Sequence, residues 1–300
     1  MRLAISGSNG LIGRALVRHF KTPENRVSRL VRDPGTTKAG DSNIFWDIRS
    51  HEIDFKALEG MDAVIHLSGA NIAAKRWTAS YKKVLYESRI ETTRFLTDTL
   101  CRLNKPPLKF FAASAVGFYG NVEPHQNVDE LMPRGRGFLA ELCEDWEKAA
   151  GAVQKAGIQV IHMRFGAVLG PQGGMLAKLL PVFKLGLGGK IGTGSQMLSW
   201  IAVDEIPLII EYLMSRSDAL GAVNFVSPQP VSNLEFTKIL GKVINRPTIF
   251  PLPSFAAKIL FGQMADELLL SGAKVLPRKL QKSGYVFKYG DLETALKKIC

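Results

Sequence analysis

Apolar residues recur along the chain in runs of strand length, separated by stretches with helical spacing. The first run is Leu3-Ala4-Ile5, followed at once by Gly7, Gly10 and Gly13. Residues 14–20 then place Leu16, Val17 and Phe20 on one side of a helix. The same pattern predicts strands over 26–31, 43–47, 62–67, 110–113 (ending at Ser114) and 159–165. Between them it predicts a short helix around Phe55 and Leu58, a long one over 81–103 and another over 137–151. Strands alternating with helical crossovers imply the α/β class, with a Rossmann-like, doubly wound parallel sheet.

The texture changes after Pro171. Residues 173–194 are glycine-rich and apolar, with Leu176, Leu179, Leu180 and Phe183 in a short helix, suited to a lid or a dimer surface. Residues 200–204 and 222–226 read as further sheet segments. From Ser232 on, helices and turns at Pro247, Pro251 and Pro253 dominate. The expected division is a dinucleotide-binding domain of residues 1–170 and 201–228, with a smaller C-terminal substrate lobe of 171–200 and 229–300.

The strand, glycine turn and helix at the start form a phosphate-binding arrangement. Gly7 permits the tight turn, Gly10 admits a pyrophosphate to the backbone, and Gly13 lets the helix pack closely. Asn9, Leu11 and Ile12 fill the turn and the first helical turn, where free N–H groups meet the anion. Arg32, at the end of the second strand, suits the 2′-phosphate of NADP(H), although Asp33 beside it is acidic. Asp47 ends the third strand and faces the adenine. Leu67, which ends the fourth strand, and Ser68, Gly69 and Ala70, which follow it, are expected to lie against the nicotinamide ribose. Arg164, on the sixth strand, is a further candidate for the cofactor's phosphates. His66 reads as a packed strand residue.

Composition narrows the picture. Of 300 residues, 46% are hydrophobic and 22% charged, the balance of a globular protein. The net charge is +12, but Lys and Arg are dispersed and not massed with aromatics, so no nucleic-acid partner is expected. Acidic small ligands, a dinucleotide phosphate among them, account for part of the excess. No apolar run approaches the roughly 20 residues of a membrane span. Cys101, Cys143 and Cys300 lie far apart, which fits a reducing cytoplasm and no metal site. The N-terminus enters a strand directly, so no cleavable signal is expected. The expected partner is a small-molecule substrate, bound by a monomer or a homodimer.

These pieces resemble the extended short-chain dehydrogenase/reductase superfamily, in its NAD-dependent epimerase/dehydratase group. The resemblance rests on Gly7, Gly10 and Gly13, on Asp47-Ile48-Arg49, on residues 60–67, on Tyr119-Gly120, on Gly170-Pro171 and on residues 200–205. Further marks are similar to an atypical epimerase-family subgroup sometimes labelled cell-division inhibitors: residues 68–72, 76–78, Ser88-Arg89, 138–140 with Trp146-Glu147, 185–189 and 264–272. The resemblance spans nearly the whole chain and implies NADP(H) as cofactor, with a reaction still to be assigned.

The superfamily's proton-transfer device is a Tyr and a Lys four residues later on one helix, with a Ser nearby. Here those positions fall on Leu139 and Cys143, and the Ser position on Ala115, one residue from Ser114. Two readings follow. In the first, the protein is an NADP(H)-dependent reductase or epimerase, acting on a nucleotide sugar or a small carbonyl compound. Its proton donor is then Tyr119, supported by Ser114, with Arg89 or Arg164 as the cation that lowers the phenol's pKa of about 10. In the second, it is a non-enzymatic NADP(H)-responsive protein that regulates a partner. Cys143 reads as a buried, inert helix residue.

Overall fold

The computed structural model describes residues 1–32, 42–123, 125–216 and 220–300. Its frame is an eight-stranded sheet. In chain order the strands of the first half are β1 (Arg2–Ser6), β2 (Arg26–Val31), β3 (Ser42–Asp47), β4 (Glu52–Ile53), β5 (Ala63–His66), β6 (Lys109–Ala115) and the short β7 (Asn127–Val128). The second half adds β8 (Gln159–Phe165), β9 (Ala167–Gly170), β10 (Met197–Leu198), β11 (Trp200–Ala202), β12 (Gly221–Phe225), β13 (Val231–Ser232) and β14 (Lys274–Val275). The large sheet runs β12-β8-β6-β5-β1-β2-β3-β4. Its pairings are parallel, except that β4 folds back antiparallel on β3. β1 pairs with β2 on one side and β5 on the other, so the crossovers reverse direction there. That reversal opens a crevice at the carboxyl ends of β1 and β5, where open α/β sheets bind ligands.

The helices of the first half are α1 (Leu11–Phe20), α2 (Ala79–Leu100) and α3 (Phe138–Gly151). They are followed by α4 (Gly174–Lys184), α5 (Glu205–Met214), α6 (Asn233–Val243), α7 (Ser254–Phe261), α8 (Arg278–Lys282) and α9 (Leu292–Ile299). The central strands are covered on both faces. Leu3 and Ile5 enter one core with Leu16, Phe20, Ile206 and Ile210, while Ala4 enters the other with Leu96, Leu100 and Phe110. A strand buried on both faces reads as a continuous apolar run, the pattern of residues 3–5. A further core gathers Leu169, Trp200 and Ala202 with Leu176, Phe183, Phe236 and Leu296. It therefore joins residues from both sides of the expected boundary at 170. Residues 167–170, to which the pattern assigns no element, are strand β9, because β11 supplies its ladder partner. The pattern leaves α5 unassigned, since its apolar residues run almost without a break and give no period.

Buried polar groups tie the layers together. Lys109 opens β6, and its ammonium donates to the carbonyls of Leu213 (2.5 Å), Met214 (3.0 Å) and Arg216, closing the C-terminus of α5. Glu205, at the other end of α5, is 1% exposed. It accepts from the Tyr285 hydroxyl and from the backbone N–H groups of Lys288 and Tyr289, pinning the chain ahead of α9.

His66 is fully buried at the end of β5, as its place in the strand implies. Its Nδ1 lies 2.7 Å from Ser6 Oγ and its Nε2 3.1 Å from Thr93 Oγ1. Thr93 donates its own proton to the Arg89 carbonyl, so its oxygen accepts from Trp146 Nε1 and from His66 Nε2. Ser6 in turn accepts from Leu67 N and donates to His66 Nδ1. This order satisfies each member with a neutral imidazole. Burial holds the His66 pKa down at about 3. The unfolded chain titrates near 6.5, so it takes up a proton that the folded protein refuses. Stability is complete above pH 6.5 and falls as the pH drops toward 3. Between pH 7 and pH 5 the expected loss is about 2 kcal/mol from this residue. Urea unfolding at the two pH values measures it, and His66→Gln should lose less between them than the wild type. Equal losses would show that His66 is not the group responsible.

Candidate functional site

The turn between β1 and α1 closes through bare backbone. Gly7 has φ +65°, and a Cβ there would stand 2.9 Å from the Leu67 carbonyl carbon. A Cβ on Gly13 would stand 2.3 Å from Gly7 O and 2.6 Å from Ser8 Cα. The neighbour that Gly13 spares is thus the turn itself. Gly10 differs. Its N–H donates to Gly7 O at 2.9 Å, and an added Cβ would meet Gly7 O at 3.2 Å, with the remaining space open. Gly10 is the N-cap of α1, which has no side-chain cap and no acidic residue in its first turn. Its leading N–H groups, those of Leu11 and Ile12 among them, face a cradle that a side chain on Gly10 would fill. The Leu11 side chain packs elsewhere, against Gly170 and Gly173, and Ile12 packs on the core.

Two cations bond to this turn, Arg29 and Arg14. Arg32 follows β2 and is exposed; Asp33 lies outside the described residues. Arg29, which the sequence reading passes over, reaches the turn from within β2. Its Nε donates to Ser8 Oγ at 3.2 Å, and its Nη2 to Asn9 Oδ1. A charged residue between the buried Ser28 and Leu30 of a parallel strand is the signal that could have found it. Arg14 bonds the Asn9 carbonyl (3.0 Å) and the Gln172 carbonyl (3.1 Å).

Asp47 stands at the carboxyl end of β3 and accepts from Arg49 N at 3.0 Å, closing a tight turn. Leu67, Ser68, Gly69 and Ala70 leave β5 as a loop held from below. Ala70 N donates to Ser88 Oγ, and Arg89 Nη2 donates to Ala70 O, both at 3.0 Å. The Arg89 guanidinium lies over the Trp146 ring and under Gly69. Arg89 therefore supports the loop, and it makes no contact with Tyr119.

The structure gathers Ser114, Tyr119 and Arg164 into one buried network. The Arg164 guanidinium grips Glu147 through Nε and Nη2, both at 2.8 Å. Ser114 donates to Glu147 Oε1 at 2.7 Å. Arg164 Nη1 donates to the Tyr119 hydroxyl at 2.9 Å, and that hydroxyl donates to Asn224 Oδ1 at 2.7 Å. Tyr119 is 2% exposed and Arg164 4%. Burial pushes the Tyr119 pKa up to about 12, against the lowering pull of Arg164. The expected direction is therefore reversed: the cation is present, but desolvation outweighs it. This geometry makes Tyr119 and Ser114 struts and not groups presented to a ligand. Arg164, expected as a cofactor residue, has its guanidinium under the Phe118 ring, 3.5 Å from the centroid, and bonded to Glu147.

Ala115, Leu139 and Cys143 come together as the superfamily's spacing implies. A Cβ on Gly117 would lie 3.2 Å from Leu139 Cβ and 3.8 Å from Cys143 Sγ, so the loop after β6 packs on α3. Burial, with Glu147 adding to it, raises the Cys143 thiol to about 12, and it is inert. A further carboxylate reaches this point. Glu267 accepts from Leu139 N (3.0 Å) and Phe138 N (3.4 Å), capping α3 from the C-terminal part of the chain. Among the described residues, no three His, Cys, Asp or Glu side chains converge on a metal position, and no helix is long and apolar enough to cross a membrane.

Residues 3–224 match the NAD dependent epimerase/dehydratase family, and residues 252–299 match a domain of unknown function, DUF1731. An epimerase family protein of Mycobacterium bovis is 40% identical over 294 residues, covering 98% of this chain and 96% of its own. The crystal structure of human epimerase family protein SDR39U1 with NADPH superposes with a TM-score of 0.90 at 31% identity, over 100% of this chain and 99% of that one. A nucleoside-diphosphate sugar epimerase from Corynebacterium glutamicum superposes with a TM-score of 0.79 at 33% identity, over 100% of this chain and 58% of that longer one.

The buried network predicts how its members behave when cut. Tyr119→Phe leaves Arg164 Nη1 and Asn224 Oδ1 without their shared partner, and should cost about 1–3 kcal/mol of stability. Glu147→Gln leaves a buried guanidinium uncompensated and should cost more, roughly 3–5 kcal/mol. Denaturant unfolding measures both. A Tyr119→Phe protein as stable as the wild type would end the reading of Tyr119 as a strut.

Proposed function

Because the chain belongs to the NAD dependent epimerase/dehydratase family, we propose that it binds NADPH along the carboxyl edge of its sheet and uses it on a small carbonyl compound. The observation that carries this reading is the open cradle at Gly10, set between two glycines that only backbone can occupy. The human relative's complex with NADPH supports it. Gly7, Asn9, Gly10, Leu11, Ile12 and Gly13 hold the pyrophosphate at the α1 N-terminus. Arg32 and Arg29 face the 2′-phosphate, Asp47 the adenine, and Leu67 to Ala70 the nicotinamide ribose. Bound NADPH supplies a hydride from its nicotinamide ring. The accompanying proton comes from outside α3, since neither Leu139 nor Cys143 can deliver one. The well-separated cysteines fit a reducing cytoplasm, and the fold serves as a monomer or a homodimer.

A second reading has its own support. With Ala115, Leu139 and Cys143 in the superfamily's reacting positions, the same fold serves as a non-enzymatic NADP(H)-responsive regulator, the role that the label of cell-division inhibitor implies. Turnover decides between them: NADPH consumption with a panel of carbonyl compounds supports the enzyme, and binding without consumption supports the regulator.

Fluorescence titration tests the cofactor. The wild type should prefer NADPH to NADH. Arg29→Ala and Arg32→Ala should each weaken NADPH, by roughly 1.5–3 kcal/mol for a charge-assisted contact, and leave NADH unchanged. Gly10→Val should fold and bind neither, because its side chain occupies the cradle. Gly13→Val should fail to fold, because its side chain meets the turn. Equal wild-type affinities for the two cofactors, unchanged in both arginine variants, would sink the assignment.

A further inference from the structure

A cavity of about 220 Å³ lies between the loop that follows Gly120 and two segments of the C-terminal half. Its walls include Asn121, Glu123, Ser195, Gln196, Leu270 and Ser271. Several polar groups there are unengaged. Among the described residues, the side chains of Asn121 and Ser271 make no intramolecular hydrogen bond. Gln196 directs its amide nitrogen to the carbonyls of Ile191 (3.0 Å) and Leu269 (2.9 Å), which leaves its oxygen as an acceptor. Together these offer an amide, a hydroxyl, an acceptor oxygen and the Glu123 carboxylate. No Lys or Arg is among the wall residues. Lys190 lies near Ser195 along the chain, and its ammonium is turned to the Thr193 carbonyl.

The cavity is also wired to α3. Leu270 stands three residues after Glu267, the carboxylate that caps α3 beside Leu139. Across the gap, Gly120 and Gly135 pack backbone to backbone just ahead of the same helix N-terminus. The space thus shares its Leu270 wall with the segment whose Glu267 caps α3. It also lies at a junction between chain halves, a usual place for small-molecule pockets. Its volume is below the roughly 300–1,000 Å³ of drug-sized sites.

From the cavity's chemistry we propose that it is the substrate site, and that it takes a small, uncharged polyhydroxylated carbonyl compound, not a nucleoside diphosphate sugar. This deepens the reading above and rests on it. Hydroxyl groups both donate and accept, which matches an amide, a serine and an acceptor oxygen set around one space. A carboxylate accepts from neighbouring hydroxyls in pairs. A diphosphate would instead face the Glu123 carboxylate with no cation among the wall residues, a like-charge approach that nothing in the wall offsets.

Ligand-observed NMR on the NADPH-loaded protein tests this, with pentoses, hexoses and their polyols as one set of probes and UDP-glucose and UDP as the other. At least one neutral probe should bind, and UDP-glucose and UDP should not. Ser271→Trp, which fills the space, and Asn121→Ala, which removes an amide, should each weaken the neutral probe ten-fold or more, with NADPH affinity unchanged. Asn121→Ala keeps the test open if the larger side chain unfolds the protein. Three outcomes overturn the proposal: UDP-glucose binding more tightly than every neutral probe, no neutral probe binding to NADPH-loaded protein, or neutral binding untouched in a folded variant. A wild type that takes up no NADPH would overturn the cofactor reading instead, and the neutral probes on free protein would still report on the cavity.

Discussion

The backbone contact between Gly13 and the Gly7–Ser8 turn sets the rest of the molecule. It brings the first turn of α1 against the end of β1, with no side chain between. Leu67 also approaches Gly7, where a Cβ would stand 2.9 Å from its carbonyl carbon, so β5 must leave the sheet at the same height. Beneath that contact run Ser6, His66, Thr93 and Trp146, each bonded to the next. These buried bonds fix α2 and α3 relative to the two strands that frame the crevice. An unmet donor or acceptor in such a chain costs about 1–3 kcal/mol, so the layers hold one register.

A second fixed point lies one strand away. Glu147 and Arg164 form a bidentate pair in a nearly dry setting, with Ser114 and Tyr119 satisfying what remains. A buried ion pair earns little net stability over an apolar core, but losing either partner is severe. Its effect is to hold β6, β8, β12 and α3 in one geometry. The loop after β6 can then press on Leu139 and Cys143 without an ammonium in between. Where the wider superfamily places a reacting phenol and a lysine, this chain places packing.

The first strand, the glycine turn and α1 were legible in the sequence, because each carries its own local signal. So were the main parallel strands, whose apolar runs owe little to distant partners. The small pairing of β9 with β11 was half legible: residues 200–204 read as a sheet segment, but 167–170 become a strand only when β11 meets them. The site was legible to the same rule. Gly7, Gly10 and Gly13 act through their own backbone, and their roles could be read in place. Tyr119 could not, because its behaviour depends on Arg164 and Asn224, which lie 45 and 105 residues away. The sequence shows that a phenol follows the fifth helix-linked strand, but burial decides whether it is an acid or a strut. Arg29 was missed for the same reason, its target being a turn that precedes it by twenty residues.

Glu267 shows how the two halves share one helix. α3 begins with a glycine at φ +105° and no side-chain cap of its own. Its leading N–H groups would otherwise face the space beside Leu139 as a partial positive charge. Glu267 takes two of them, and a Cβ on Gly137 would come within 3.1 Å of its carboxylate, so the fit depends on glycine there. Two consequences follow from electrostatics. The helix terminus is already neutralised and offers little to an anionic substrate, which agrees with a cavity walled by amide, hydroxyl and carboxylate. And any displacement of the 265–269 turn would uncover those N–H groups, so the position of that turn and the charge felt beside Leu139 must change together.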